Sequence, residues 1–501
     1  MLLLGIDVGT SSIKVAAVDA QSQKRLASVQ FPDTETEIKS LKTGWAEQSP
    51  EEWWKNVQQA ILKLNATNLF NPADIGAIGI SYQMHGLVVV NKNQEVLRDS
   101  IIWCDSRAVD IGNEAFDSIG HEKSLQHLLN SPGNFTASKL AWVKQNEPKI
   151  YEQIDKVMLP GDFIAMKLTG EITTSISALS EGIFWDFKND ELSADVLNYY
   201  GIDEKLIPEI YPLFSVHGYL KADVAKRLGL NAQIPISYKS GDQPNNALSL
   251  NVLKPGEVAA TAGTSGVIYG VNESAVYDPQ SRVNSFAHVS YAPENKHTGI
   301  LLCINGTGSM YRWAKHNFAP SLSYNEVNIL SQSSPIGSKG LKVLPFGNGA
   351  ERMLNNKYTG AQIKSIDLNL HNQADIFRAV QEGIACSFRY GLDILREIGM
   401  RPSIIRAGKA NLFLSEVFAQ IFVDVTGVPV ELFENDGSVG AALGAGIGAK
   451  IYKTFQEAFI NQEKIALLEP KNCSEYEIVY NEWNNLLLKE LNKYDDKCSN
   501  R

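Results

Sequence analysis

The sequence predicts an α/β fold with layered sheets, arranged as two similar halves, and three observations carry that prediction. The chain has 501 residues, too many for one ordinary core when a domain takes roughly 100–200. Short β-branched runs such as Ile78-Gly79-Ile80 and Val428-Pro429-Val430 alternate with longer stretches, 52–64 and 376–395, whose apolar residues recur three and four apart. One segment also occurs in two versions, Leu4-Gly5-Ile6-Asp7-Val8-Gly9-Thr10-Ser11-Ser12-Ile13-Lys14-Val15 at the start and Val258-Ala259-Ala260-Thr261-Ala262-Gly263-Thr264-Ser265-Gly266-Val267-Ile268-Tyr269 near the middle. Each reads as strand, Gly-Thr-Ser turn, strand, so the halves are predicted as 1–240 and 241–501.

Composition removes several function classes. Hydrophobic residues make up 44% and charged residues 20% of the chain, the balance of ordinary folded domains. The net charge is −10 and no dense basic run occurs, which excludes a general nucleic-acid binder. Met1 to Leu4 is apolar, but Asp7 interrupts it without a basic leader or cleavage site, and no stretch nears the roughly 20 apolar residues of a membrane span. A cytoplasmic protein is expected, with neither nucleic acid nor membrane as partner. The five cysteines, Cys104, Cys303, Cys386, Cys473 and Cys498, are scattered and lack any CxxC spacing, so neither a disulfide framework nor a zinc site is predicted. Near the end, 482–494 reads as an amphipathic helix followed by a polar tail, 495–501, that is expected to fray.

The duplicated turn suggests anion binding. In Gly9-Thr10-Ser11 and Gly263-Thr264-Ser265 the glycine lets backbone approach an anion, and the hydroxyls and successive N–H groups can donate to phosphate oxygens. An ordinary hairpin turn uses the same residues. Asp7 lies in an apolar strand just before the first turn, where a bare carboxylate is costly to bury; a phosphate-bound Mg²⁺ satisfies it, and so do turn amides. Lys14 reaches a phosphate if the hairpin folds back, or is an exposed surface lysine. In Ser240-Gly241-Asp242-Gln243-Pro244, Asp242 suits a helix N-cap, and equally a rigidly held base beside an acceptor hydroxyl. Gln83-Met84-His85-Gly86 and Trp103-Cys104-Asp105-Ser106-Arg107 each follow an apolar strand, where polar groups and an aromatic face suit a polyhydroxylated ligand. For His85 the alternative is a structural histidine, and for Asp105 with Arg107 a local ion pair. Burial and thiol pKa decide whether Cys104 is sensitive to oxidation.

Over nearly its whole length the chain resembles the FGGY carbohydrate kinases, of the actin and hexokinase superfamily. The resemblance is carried by the two turns, Trp45-Ala46-Glu47-Gln48-Ser49-Pro50-Glu51-Glu52-Trp53-Trp54, Gln83–Gly86, the Trp-x-Asp-x-Arg cluster at 103–107, Lys139-Leu140-Ala141-Trp142, Leu159-Pro160-Gly161-Asp162, Gly241-Asp242 and Ala442-Leu443-Gly444-Ala445. It implies two ribonuclease-H-like (actin/hexokinase-type) domains closing on an interdomain cleft that takes ATP and a sugar. Asp242 is implied as general base and Asp7 as the Mg²⁺ ligand. Gly9, Thr10, Ser11, Lys14, Gly263, Thr264 and Ser265 are implied at the phosphates, with Gly408 and Asn411 at the nucleotide base. Gln83, Met84, His85, Gly86, Trp103, Asp105, Arg107 and Asp242 are implied at the sugar.

Within the family, 83–86 and 103–107 are most similar to the branch acting on D-xylulose, so ATP-dependent phosphorylation of that ketose is expected, with kinases of gluconate, ribulose or glycerol as alternatives. ATP and Mg²⁺ are the implied cofactors, a small sugar is the partner, and a homodimer is among the expected assemblies. The chain departs from the family at 405–415, where the expected Gly-Gly-rich adenine loop is glycine-poor and longer. It departs again at Ser365 and Gln381, usually glycine and an apolar residue, and at Gly349-Ala350-Glu351-Arg352-Met353 in place of Gly-Glu-Arg-Thr-Pro. From other function classes, an actin-like or chaperone-like ATP switch also needs paired phosphate turns but not the two sugar clusters, and an inactive sugar sensor does not need both Asp7 and Asp242.

Overall fold

The computed structural model describes the backbone of residues 1–499 and side chains through Tyr494. The tail expected to fray from 495 instead continues a helix through Ser499; residues 500 and 501 and the side chains of 495–499, Cys498 among them, lie outside this description. In chain order, the first sheet is built from β1 (Leu2–Val8), β2 (Ile13–Asp19), β3 (Arg25–Phe31), β4 (Ile75–Tyr82) and β5 (Ile236–Gly241). Helices α1 (Pro50–Asn65), α2 (Thr136–Asn146), α3 (Ile176–Glu181) and α4 (Asp242–Ser249) accompany it. The second sheet follows with β6 (Glu257–Ala262), β7 (Gly266–Asn272), β8 (Asn284–Ala287), β9 (Thr298–Ile304), β10 (Ile404–Gly408), β11 (Val430–Phe433) and β12 (Lys464–Leu468). Its part of the chain also holds α5 (Gly308–Phe318), α6 (Gln373–Glu397), α7 (Glu416–Thr426), α8 (Gly437–Gly448) and α9 (Cys473–Ser499).

The predicted periodic stretches 52–64, 376–395 and 482–494 fall inside α1, α6 and α9. The α6 helix starts earlier because Asn372 and Asp375 form a reciprocal cap. In the run Val428-Pro429-Val430 the strand begins only at Val430, since proline lacks the N–H a ladder needs.

Two compact units result, but they divide the chain differently from the expected 1–240 and 241–501. The first comprises Met1–Leu253, Phe286–Thr298 and Asp436–Gln462; the second comprises Lys254–Ser285, Gly299–Asn435 and the chain from Glu463 onward. The break moves past 240 because α4 buries Ala247 and Leu248 in the first unit. The far segment returns because α8 covers that unit's sheet.

In the first unit the strand order is β5-β4-β1-β2-β3, with β1 antiparallel to β2 and parallel to β4, and β4 parallel to β5. Helix α8 lies directly on this sheet. A Cβ on Gly5 would stand 1.7 Å from the Ser438 carbonyl oxygen, and one on Gly79 would stand 1.9 Å from that of Ala441. Only glycine admits backbone that close. The buried layer so formed includes Leu3, Ala77, Tyr238, Ala441, Ala442 and Ala445.

In the second unit the order is β8-β9-β7-β6-β10-β11-β12. Its central run β9-β7-β6-β10-β11 repeats the first sheet, with β6 antiparallel to β7 and parallel to β10, which is parallel to β11. The duplicated Gly-Thr-Ser segment thus joins corresponding strand pairs, β1 to β2 and β6 to β7. Its core packs α6, α7 and α9 together, with Phe388, Phe422 and Trp483 fully buried. No helix among the described residues is long and apolar enough to cross a membrane.

Candidate active site

Three parallel strands of the first unit end at one sheet edge. Asp7 of β1 pairs in register with Ser81 of β4, and Ser81 with Ser240 of β5. The segments that follow, Gln83-Met84-His85 and Asp242, therefore emerge side by side with Asp7. Asp242 is the first residue of α4 rather than its cap, which is Gly241, so the N-cap expectation shifts by one residue. A Cβ on Gly241 would stand 2.7 Å from Met84 Cγ and 2.8 Å from Glu181 Oε2; the absence of a side chain is what lets the end of β5 pack on Met84 and Glu181.

The electrostatics of this edge keep carboxylates proton-hungry. Burial and the negative charge of Asp7 push Asp242 up to about 7, against the Gln243 N–H, which favours the ionised form. Asp7 is raised by burial and by Asp436, and eased by the neighbouring Ser81 hydroxyl and by Lys14. Lys14 is the direct cross-strand partner of Asp7, so the two share a sheet face. Among the described residues no cluster of three His, Cys, Asp or Glu could hold a metal ion.

A polar net ties the first turn to the sugar-type clusters. Thr10 Oγ1 donates to Gln83 Oε1 at 3.1 Å and accepts from Trp103 Nε1 at 2.9 Å. Gln48 Nε2 donates to the Thr10 carbonyl at 2.8 Å, and its Oε1 accepts from Gln83 Nε2 and Trp53 Nε1, both at 3.1 Å. Trp103 stays 53% exposed, leaving an indole face available above this net. His85 is partly exposed and adopts a left-handed φ of 62°. Its Nδ1 lies 2.9 Å from the Glu181 carbonyl, and because a carbonyl only accepts, Nδ1 carries the proton. Phe135 and Phe286 flank the ring, at centroid distances of 4.9 and 5.3 Å. Gly86 is buried where a Cβ would meet Pro160 Cγ at 2.8 Å.

Besides Gly86, four expected sugar contacts are withdrawn from solvent. Gln83 and Met84 are buried, the former in the net just described. Asp105 is fully buried; its Oδ2 accepts from the Ala46 N–H at 2.6 Å and from Arg107 Nη2 at 2.7 Å. Arg107 also donates to Glu47 at 2.6 Å and lies 3.8 Å from the Trp45 ring centroid. The local ion pair is what forms, and it braces the 103–107 loop from below. Cys104 is exposed, but partial burial raises its thiol pKa, with Asp105 adding and Lys139 opposing, so thiolate is scarce and oxidation is not favoured.

Sequence reasoning missed the buried charges beneath the clusters. Lys139 donates to the carbonyls of His85 at 2.9 Å and Ile102 at 3.0 Å. Glu181 is buried, and desolvation with Asp242 and Asp162 nearby raises its pKa well above the usual range, opposed by Tyr82 and Lys139. Lys239 is paired with Asp162 at 2.6 Å. The burial of the whole run Thr136–Ala141 around Lys139 emerges only from the structure.

In the second unit the corresponding turn is built differently. Gly308 N–H donates to the Gly263 carbonyl at 2.9 Å and Ser309 N–H to that of Thr264 at 3.1 Å, with Thr307 Oγ1 on the former at 3.1 Å. The start of α5 therefore holds the turn's carbonyls, and Thr264 itself is exposed while Ser265 is partly so. Glu351, buried, accepts the Asn305 N–H with both oxygens at 3.0 Å and anchors the loop leading into α5; burial pushes it up to about 7. Asn411 sits in a left-handed conformation with its Nδ2 3.5 Å from where a Gly263 Cβ would be, and Gly408 ends β10 against Asn435. The structure thus brings Gly408, Asn411 and the Gly263 turn into one region. A groove of about 480 Å³ beside α5 is lined by Ser309, Met310, Arg312, Trp313, His316 and Asn348 among others.

Comparison with known proteins shows what the chain as a whole is similar to. Residues 2–249 match the model of the N-terminal domain of the FGGY family of carbohydrate kinases. The xylulose kinase of Staphylococcus epidermidis is 30% identical over 483 residues, 94% of this chain and 93% of that one. That of Escherichia coli is 28% identical over 467 residues, 92% of each chain. The crystal structure of xylulose kinase from Rhodospirillum rubrum superposes with a TM-score of 0.89 at 25% identity, covering 99% of this chain and 100% of that one.

Proposed function

Because the chain belongs to the FGGY family of carbohydrate kinases, we propose that it transfers the γ-phosphoryl of ATP to the terminal hydroxyl of D-xylulose, giving D-xylulose 5-phosphate. The observation that carries this reading is the register that ends β1, β4 and β5 at one sheet edge with Gly241 packed on Met84, so that Asp7, the 83–86 turn and Asp242 emerge together. The names of the similar kinases support the choice of sugar.

Asp242 accepts the hydroxyl proton as the new O–P bond forms and the bond to the departing ADP breaks; a base with a pKa near the working pH does this best. His85 and the exposed face of Trp103 meet the sugar, the indole covering its apolar side. Thr10 Oγ1 is already committed to Gln83 and Trp103, so the first turn serves the sugar pocket through that hydroxyl and phosphate only through its backbone, Ser11 and Lys14. The exposed Thr264 and the amides around Gly263 hold the transferred end of the polyphosphate, and Gly408 and Asn411 the nucleotide base. Asp7 fits Mg²⁺: it is a partly exposed carboxylate whose charge burial and Asp436 leave in need of a cation, and the ion keeps several waters and takes one or two carboxylates. Bound there with ATP, Mg²⁺ supplies neutralisation of phosphate charge.

The test is ADP release over a panel of ketoses, polyols and aldonates, with wild type and Asp242→Asn. D-Xylulose is the expected best substrate. A preference for gluconate, ribulose or glycerol would overturn the sugar, and full activity of the variant would overturn the base. ATP turnover indifferent to every sugar would favour a switch instead.

A further inference from the structure

We propose that Lys139 is the positioning residue of the sugar pocket: its buried amine joins the carbonyls of His85 and Ile102 and so fixes where the imidazole and the Trp103 indole meet a substrate. The proposal deepens the reading of 83–86 and 103–107 as sugar-binding segments and rests on it.

Lys139 is 0% exposed, on a helix whose Thr136, Ala137, Ser138, Leu140 and Ala141 are also buried. An amine there is unfavourable unless its N–H groups are satisfied. Its two acceptors, at 2.9 and 3.0 Å, come from segments 17 residues apart that carry the two sugar clusters. Core packing alone does not require this, since an apolar side chain fills the same volume without an amine to satisfy. Joining the two loops does require it.

The geometry at each end is sensitive. His85 holds a left-handed φ, a conformation that costs a non-glycine residue of the order of 1 kcal/mol or more unless its surroundings impose it. Lys139 imposes it from the carbonyl side, helped by Thr136 Oγ1 at 3.3 Å, while the Glu181 carbonyl holds the ring. Ile102 directly precedes Trp103, so a shift of its carbonyl swings the indole that reaches Thr10. Burial pushes the amine down to about 7, opposed by Asp105, Cys104 and Glu181 and reinforced by Arg107. Both protonation forms keep at least two N–H donors for the two carbonyls, so the clamp holds on either side of neutrality.

The test uses full-length Lys139→Met and Thr136→Val. Lys139→Met is expected to raise KM for D-xylulose about tenfold, the loss of one to two hydrogen bonds, with KM for ATP changed less than about twofold. It is also expected to speed amide hydrogen exchange at 83–86 and 102–105. Thr136→Val moves the same readouts in the same direction by about threefold or less, and decides the matter where the methionine variant does not fold. Equal rises in both KM values, or a lower melting temperature with KM and exchange unchanged, would overturn the clamp. Should the wild type reject D-xylulose, the proposed substrate fails by itself; the clamp is then judged by exchange, which needs no sugar.

Discussion

The two Gly-Thr-Ser turns are alike in sequence and in the strands they join, yet they are wired differently. In the first, the side chain is consumed along with the carbonyl: Thr10 Oγ1 donates to Gln83 and accepts from Trp103, while the Thr10 carbonyl accepts from Gln48. In the second, the carbonyls are consumed, by Gly308 and Ser309 N–H and by Thr307, and Thr264 remains exposed. A repeated motif therefore marks a repeated position in the fold and not a repeated task. What surrounds the turn, a sheet edge rich in polar side chains or a helix start rich in N–H groups, assigns the task.

The largest effect expected belongs to the edge beside the first turn. Asp242→Asn should lower kcat by about 10²–10⁴-fold, read from ADP release. In wild type, kcat/KM should fall as pH drops through about 7, where Asp242 takes up a proton. The stability consequence has the opposite sense. The raised pKa means the folded state holds a proton that the unfolded chain, near 3.8, has released, so this contribution is full below 3.8 and is lost as pH rises through about 7. The asparagine variant should therefore melt higher than wild type at pH 8, with the advantage shrinking below pH 7.

Next in size is a contrast between the sheets. Gly5→Ala drives a methyl into the Ser438 carbonyl, where backbone must move, and should cost about 3 kcal/mol. Gly270→Ala in the second sheet meets side chains and no backbone, Met400 Cε at 2.4 Å and Leu395 Cδ2 at 3.2 Å, and should cost less, about 1.5 kcal/mol, because the flexible methionine can give way. Thermal or denaturant unfolding separates the two. A smaller pair isolates the turns themselves: Thr10→Val should raise KM for the sugar about tenfold and leave KM for ATP, and Thr264→Val should do the reverse. Equal effects from both would dissolve the contrast. Smallest is Ser365→Gly, at a position with φ of 67°; relief of the left-handed backbone should raise stability by about 0.5–1 kcal/mol.

The halves, the doubled turn, Asp7 before it and Asp242 at a helix start were legible because strand periodicity and turn chemistry are local. The Asp105–Arg107 pair was legible as one of two alternatives, and only burial chose between them. Lys139, Glu181 and the Lys239–Asp162 pair were not legible: each is defined by partners far along the chain, 54 residues in the case of Lys139 and His85. Gln381 shows the same limit. Its polar side chain looks misplaced in an apolar helix face, but it donates to Tyr311 and Asn328 and accepts from Ser331. The expected boundary at 240 missed because nothing in a glycine-rich helix near 440 announces that its backbone rests on Gly5 and Gly79.

That helix has a consequence for biosynthesis. When the ribosome has made the five strands of the first sheet, the layer of Leu3, Ala77 and Tyr238 still awaits Ala441, Ala442 and Ala445. At about 5–20 residues per second the wait between Leu253 and Asp436 lasts roughly 10–40 s. Throughout it an apolar surface stands open on the nascent chain. A fragment ending at 253 should bind chaperones and precipitate, and supplying 436–462 as a separate peptide should rescue it.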